Sequence, residues 1–337
     1  MFDSLLLRKF VLYRKRGKMN QYENCRLCPK TCHINRTLQK TGICKMTSDL
    51  KIARAALHFW EEPCISGRNG SGTVFFSGCN LHCVFCQNEE IAQGHFGKVI
   101  SKERLAEIFL ELQEQHANNI NLVTPGHFAP HIIWAVEEAR RQGLYIPIVY
   151  NTSTYESVDT IKSLEGIVDI YLPDFKYFSS KISEKYSNTP DYPIVAKQVL
   201  AEMVRQQPKA FFAKEIQSNQ RNDKQSFCQE ELTEEYRIMQ KGVIVRQLLL
   251  PGMLEDAKQI VQYLYETYGN CIYISLMSQY TPLSHVKNYP ELNRKVTKKE
   301  YEAYVNYAID LGVENGFIQE DDVAKESFIP KFDGFGV

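Results

Sequence analysis

Cys79, Cys83 and Cys86 stand at C-x3-C-x2-C spacing in the run Cys79-Asn80-Leu81-His82-Cys83-Val84-Phe85-Cys86. Thiolates this close together on a loop suit metal or iron–sulfur ligation. Three of them can hold three irons of a [4Fe–4S] cube and leave the fourth iron without a protein ligand. An open metal position points to chemistry rather than to a structural plug. The amino group and carboxylate of a methionine sulfonium cofactor could chelate that iron. An electron from the reduced cluster could then break the carbon–sulfur bond and release a 5′-deoxyadenosyl radical, which takes hydrogen from a substrate. The cofactor carries the hard chemistry, and the protein orients it and excludes water. The alternative is a zinc loop with His82 as fourth ligand, although zinc sites more often use C-x2-C pairs.

A second group, Cys25-x2-Cys28-x3-Cys32-x11-Cys44, offers four ligands. Four thiolates suit a closed zinc site or an auxiliary iron–sulfur cluster, and a simple set of reduced thiols is the plain alternative. Seven of the ten cysteines fall in these two groups. Such clustering reads as ligation in a reducing compartment rather than as a disulfide framework. Cys64 and Cys271 read as core residues, and Cys228 needs no special role.

These residues must be positioned by a scaffold, and the pattern after Gly72 supplies one. Six short apolar, β-branched or aromatic runs recur: Thr73–Ser77, Ile120–Thr124, Ile146–Asn151, Val168–Leu172, Val243–Leu250 and Ile272–Met277. Nearly continuous apolar runs are what buried parallel strands require. Helical stretches separate them, from Ser101 to about His116, Phe128 to Arg141, Tyr155 to Leu164, Tyr192 to Gln206 and Leu254 to Tyr268, with another from Thr297 to Leu311. Ser101 and Thr297 read as caps. The alternation implies right-handed βαβ units and an α/β fold, a (β/α)6 partial TIM-type barrel with a Cys-rich N-terminal segment. A doubly wound sheet is the alternative. The expected organisation is a Cys-rich segment over 1–70, a barrel over 71–290, and a C-terminal helix and tail over 291–337. Pro208 to Glu235 reads as a polar surface insertion, and Phe317 to Val337 as a loop-like tail whose aromatics pack back on the barrel.

On this scheme the cysteine triplet follows the first strand, at the strand end where a βα barrel carries its active site. Other strand ends supply further candidates: Thr124 and His127, Asn151 and Ser153, Asp174 and Lys176. Asp174 and Lys176 at i and i+2 share one side of an extended chain. Arg246 lies among apolar neighbours in the fifth strand and must be paired if buried. Each has a structural alternative: a hydrogen-bonded histidine, helix caps at Asn151 to Ser153, a surface ion pair, a buried ion pair at Arg246.

The chain has 337 residues with 40 Lys and Arg against 40 Asp and Glu. Zero net charge argues against a protein devoted to nucleic acid. No run approaches the length of a membrane span, and Met1 to Lys18 lacks the h-region and cleavage site of a secretory signal, so a cytoplasmic protein is expected. A zinc-binding adaptor or nucleic-acid module is the alternative of a different class.

C-x3-C-x-aromatic-C after the first barrel strand resembles the signature of the radical S-adenosylmethionine superfamily. Within it, the chain is similar to the pyruvate formate-lyase activating enzyme-like proteins, through "CRLCPKTC", "FWEEPCISG", "GCNLHCVFCQN", "VTPGHF", "YLPDFKY" and "FIPKFD". The resemblance runs from about residue 22 to the end, the 208–235 insertion apart. It implies that Phe85 contacts the adenine, that Asp174 and Lys176, as a D-x-K motif, contact the cofactor, and that Arg246 holds a carboxylate. It also implies an electron donor of flavodoxin or ferredoxin type and a glycyl-radical enzyme as target. Another peptide or a small molecule is the alternative substrate. The chain departs from the pattern at the second strand, which lacks Gly-Gly-Glu-Pro, and at the sixth, which lacks a histidine.

Overall fold

The structure, a computed structural model, describes residues 21–215, 237–319, 330 and 332–337. In chain order the elements are β1 (Lys51–His58), α1 (Pro63–Ser66), β2 (Ser71–Phe76), α2 (Glu89–Ala92), β3 (Lys98–Val99), α3 (Lys102–Glu114), β4 (Ile120–Val123), α4 (Ala129–Arg141), β5 (Ile148–Thr152), α5 (Val158–Ser163), β6 (Ile170–Pro173), α6 (Ser180–Ser187), α7 (Tyr192–Gln206), β7 (Phe211–Lys214), β8 (Arg237–Leu248), α8 (Leu254–Tyr268), β9 (Tyr273–Met277), α9 (Lys298–Leu311) and β10 (Gly316–Ile318).

All six expected strands form, and they pair in parallel in the order β2-β4-β5-β6-β8-β9. One register row joins Val74, Leu122, Tyr150, Tyr171 and Val243 across five strands. These five side chains belong to the main core, together with Phe109, Val136 and Ile260 from the helices. The alternate residues Val149, Ile170, Leu172 and Ile244 face the other way and meet Cys64 and Ile65 of α1. Both faces are therefore covered, which explains why the strand runs are nearly continuously apolar rather than alternating. Among these six parallel strands the order never reverses along the chain, which sets this sheet apart from a doubly wound one. The sheet is open, with β10 and β3 at its ends and no pairing between them among the described residues.

The helix ends follow local chemistry. The Ser101 hydroxyl accepts from the Arg104 amide at 3.1 Å at the start of α3. Thr297 and Glu300 form a reciprocal capping box on α9.

The structure adds four strands, one of them the two-residue β3, which pairs antiparallel with β1 at the sheet edge. β1 lies within the segment read as a Cys-rich lead and pairs antiparallel with β2; its Ala-rich run, Ala53 to Ala56, carries little β signal. The insertion opens with β7, which pairs antiparallel with a β8 that starts earlier than the apolar run did, while residues 216–236 lie outside the described residues. Part of the loop-like tail is β10, parallel to β9. The last residues lie against the sheet: the Ala55 amide donates to the Phe335 carbonyl at 3.0 Å, and Phe332 meets Phe75 edge-on.

Candidate functional site

The C-terminal ends of β2, β4, β5, β6, β8 and β9 surround one cavity of about 260 Å3. Cys79, Cys83 and Cys86 line it, in the turn that follows β2. Gly78 begins that turn at φ +88°, and a Cβ there would lie 2.6 Å from the Cys44 carbonyl oxygen, so only glycine fits. His82 is left-handed at φ +52°. Its Nε2 is 2.7 Å from the Ile43 carbonyl and braces the loop, its Nδ1 is buried without a hydrogen-bond partner, and the ring is not among the groups that line the cavity. Asn80 ties the loop to the Tyr155 carbonyl at 2.7 Å, and the Val84 amide donates to Tyr186.

The donor set fits a polynuclear centre better than one ion. Four thiolates about 2.3 Å from a tetrahedral ion sit roughly 3.8 Å apart. Among the described residues, no three His, Cys, Asp or Glu side chains converge in that way. Three sulfurs instead share one wall of a cavity. Burial pushes the Cys86 thiol up to about 12 and raises Cys79 as well, so their thiolates need cationic partners. Lys176 supplies one such charge, close enough to pull both thiols back downward.

Opposite the cysteines stands a buried ionic network. Arg246 Nε donates to Asp174 Oδ1 at 2.8 Å, one terminal nitrogen donates to Glu61 Oε2 at 3.0 Å, and the other to Asn151 Oδ1 at 2.7 Å. Lys176 Nζ donates to Asp174 Oδ2 at 2.9 Å. Burial alone would raise Asp174, but Arg246 and Lys176 outweigh it and hold the carboxyl below its usual range. Burial raises Glu61, and Arg246 only partly offsets this. For Lys176, burial is overcome by Asp174 and Cys83, and the ammonium is held above its usual value.

Phe85, Thr124, Asn151, Ser153, Asp174, Lys176 and Arg246 thus all reach the cavity that the triplet lines. Thr124 does so in a left-handed conformation, φ +57°, which strains a β-branched residue and is stored at a ligand-facing turn. Phe85 is also a core aromatic, edge-on to Tyr177 and Tyr280. His127 does not line the cavity. It is buried, its Nε2 lies 2.7 Å from the Ser77 carbonyl, and burial together with Arg36 lowers it to about 3. Its ring props β2 from behind and stays neutral. Three of the five Arg246 N–H donors are engaged within the protein, which leaves one on each terminal nitrogen.

Glu61 was missed by sequence reasoning. Its only signal was an acidic pair, Glu61-Glu62, inside a segment with no strand or helix pattern. A carboxylate buried there needs a cation, and Arg246 was the one charge already known to lack a partner. The four N-terminal cysteines lie apart from the cavity, behind the cluster loop: Cys25, Cys28 and Cys44 are buried and Cys32 is half-buried.

Residues 65–187 match the family described as a 4Fe-4S single cluster domain. An uncharacterized protein of Methanocaldococcus jannaschii is 28% identical over 297 residues, 86% of this chain and 75% of that protein. Among solved structures, SuiB of Streptococcus suis bound to S-adenosylmethionine aligns with TM-score 0.45 at 13% identity, covering 72% of this chain and 48% of SuiB. The chain thus spans about half the length of that protein. A domain of a pyruvate-formate lyase-activating enzyme from Bacteroides vulgatus gives TM-score 0.36 at 12% identity, over 57% of this chain and 93% of that domain. The FeFe-hydrogenase maturase HydG from Carboxydothermus hydrogenoformans gives 0.45 at 9%, over 73% and 53%. No described helix is long and apolar enough to cross a membrane.

Proposed function

We propose that this chain is a radical S-adenosylmethionine enzyme whose Cys79, Cys83 and Cys86 hold a [4Fe–4S] cluster. The supporting observation is that three cysteines, and no fourth among the described residues, open onto the cavity that gathers six parallel strand ends. When bound, cluster and cofactor supply reductive cleavage of a sulfonium to a 5′-deoxyadenosyl radical, which abstracts hydrogen from a substrate.

The chain's own residues bind, orient and insulate. Lys176 puts a fixed positive charge beside the cysteine sulfurs. Asn151, Ser153 and Thr124 offer short polar groups at adjacent strand ends, suited to ribose hydroxyls or an amino-acid head. Asp174 stays ionised and holds Lys176 in place. Arg246 acts as a positioning residue, tying β8 to Asn151 on β5, Asp174 after β6 and Glu61 after β1. Phe85, Val123, Leu248 and Leu250 make the remaining wall apolar, which limits water around a reactive radical.

The finer reading rests on the D-x-K pair in this cavity and on the resemblance. In it, 71–290 is the catalytic barrel, flanked by the 1–70 segment and the 291–337 tail. A cytoplasmic flavodoxin or ferredoxin supplies electrons, and the target is a glycyl residue of a partner enzyme. The test is anaerobic reconstitution with iron and sulfide, then dithionite and S-adenosylmethionine, with 5′-deoxyadenosine as readout. Wild type should form it, and Cys83→Ala should not. Absence in the reconstituted wild type, or equal yield from Cys83→Ala, overturns the proposal.

A further inference from the structure

Arg36 is the largest fully buried side chain, at 0% exposure. Its described hydrogen bonds all go to neutral groups. Nε and one terminal nitrogen donate to the Thr47 carbonyl at 3.1 and 2.6 Å, and the other donates to the His127 carbonyl at 2.7 Å. The guanidinium also lies over the Tyr22 ring at 4.8 Å and the Phe128 ring at 5.5 Å. Among the described residues no carboxylate forms an ion pair with it. A guanidinium keeps its charge, and an uncompensated buried charge is strongly unfavourable.

The group that faces this charge is made of sulfur. The terminal nitrogen on the His127 carbonyl also points to Cys25 Sγ at 3.9 Å. Cys44 lies within electrostatic reach of Arg36, Cys25 and Cys32, and Cys28 within reach of Cys44. Cys32 packs on Gly42, where a Cβ would be 2.8 Å from its sulfur. As thiols the four are neutral and leave Arg36 unbalanced. As metal-bound thiolates they are not: a dication with four thiols gives a tetrathiolate of charge −2 and four protons, and a [4Fe–4S]2+ core gives the same sum.

We propose that Cys25, Cys28, Cys32 and Cys44 bind a metal as an anionic tetrathiolate centre whose charge Arg36 balances. The backbone turns sharply around these sulfurs. Thr31 and His33 bracket Cys32 at φ +35° and +52°, and Lys45 follows Cys44 at +64°, as His82 precedes Cys83 at +52°. The centre stands behind the loop that carries the triplet. The Cys44 carbonyl abuts Gly78, the Ile43 carbonyl meets His82, and Cys28 interacts with Asn80. It therefore buttresses that loop, independently of what reaction the cavity carries out. The sulfurs do not meet at one point. Zinc would draw the 25–32 and 42–45 turns together, and an iron–sulfur cube would span them.

The test removes the triplet first. In Cys79→Ala/Cys83→Ala/Cys86→Ala purified anaerobically, metal analysis and acid-labile sulfide should still find either one zinc without sulfide or about four irons with sulfide per chain. Cys25→Ala/Cys44→Ala on the wild-type background should lose that fraction alone. Arg36→Gln should weaken metal retention about 10- to 100-fold in a chelator competition, the range typical of groups that surround a metal's ligands. Cobalt loading adds a readout that fold stability alone would not move, since thiolate charge-transfer bands should shift in Arg36→Gln and return in Arg36→Lys. Should the double cysteine variant fail to fold, thiol alkylation of native wild type decides: the four cysteines should be protected until chelator is added. A triplet variant holding neither zinc nor iron, or four thiols alkylated equally with and without chelator, overturns the proposal.

Discussion

The two cysteine groups sit on opposite sides of one loop and differ in what surrounds them. Cys79, Cys83 and Cys86 share a cavity with Lys176, Asp174, Arg246 and Glu61, so every charge there has a partner and the sulfurs still face open space. Cys25 is buried against Tyr22 and Leu27 with Cys32 packed on them, the Arg36 guanidinium points at its sulfur, and none of the four N-terminal cysteines lines the cavity that the triplet shares. The triplet faces space that could take a substrate, whereas Cys25, Cys28 and Cys44 are buried and Cys32 is half-buried.

The comparison breaks most sharply at single cysteines. Cys86→Ala should reduce 5′-deoxyadenosine formation to background while leaving the melting temperature nearly unchanged. Cys32→Ala should lower the melting temperature and leave cleavage measurable. The reverse pattern would exchange the two roles. Next in size is Arg246→Met, which strands Asp174 and Glu61 with only Lys176 and Asn121 as partners. Chemical denaturation should register a loss of about 3–5 kcal/mol, with little loss from the paired substitution Arg246→Met/Glu61→Leu by comparison with the single one.

A smaller effect lies between the two regions. Glu156 accepts from the Thr152 hydroxyl on the cavity wall and its carboxylate packs on Gly126, within electrostatic reach of Cys28. Burial raises it to about 7, against the hydrogen bond from Thr152. An unfolded glutamate releases its proton near 4.5. Between those values the unfolded chain binds fewer protons, so this carboxyl's contribution is present below pH 4.5 and is lost as pH rises through 7. The loss is about 3 kcal/mol. Glu156→Gln should flatten the pH dependence of denaturation midpoints from 5 to 7, and an unchanged slope would refute the assignment. Last, Ser101→Ala removes the α3 cap, remote from both sites. It should cost about 1 kcal/mol and leave both metal content and cleavage as in wild type.

Much of the scaffold was legible because strand burial on both faces leaves a one-dimensional mark. Thr73 to Ser77 and Ile272 to Met277 are mostly apolar, and Ser101 and Ser157 cap two of the helices between them. β1 was not legible, because alanines take strand form only when an existing edge, here β2, offers hydrogen bonds. The same holds for β10, which is three residues long and depends on β9.

The candidate site divides along the same line. The amino-acid sequence alone determined which residues could ligate metal, since thiolates at C-x3-C-x2-C are a local property of one loop. It also placed Thr124, Asn151, Ser153, Asp174 and Lys176 at strand ends, because parallel strands with regular crossovers send successive ends to one edge, and Arg246 within the fifth strand. Only the tertiary structure decided what each of these faces. Glu61 joins Arg246 across 185 residues, His127 turns to the Ser77 carbonyl and away from the cavity, and Arg36 comes to rest against sulfur. Charge balance is summed over neighbours in space, and the spacing of residues along a chain carries no record of that sum.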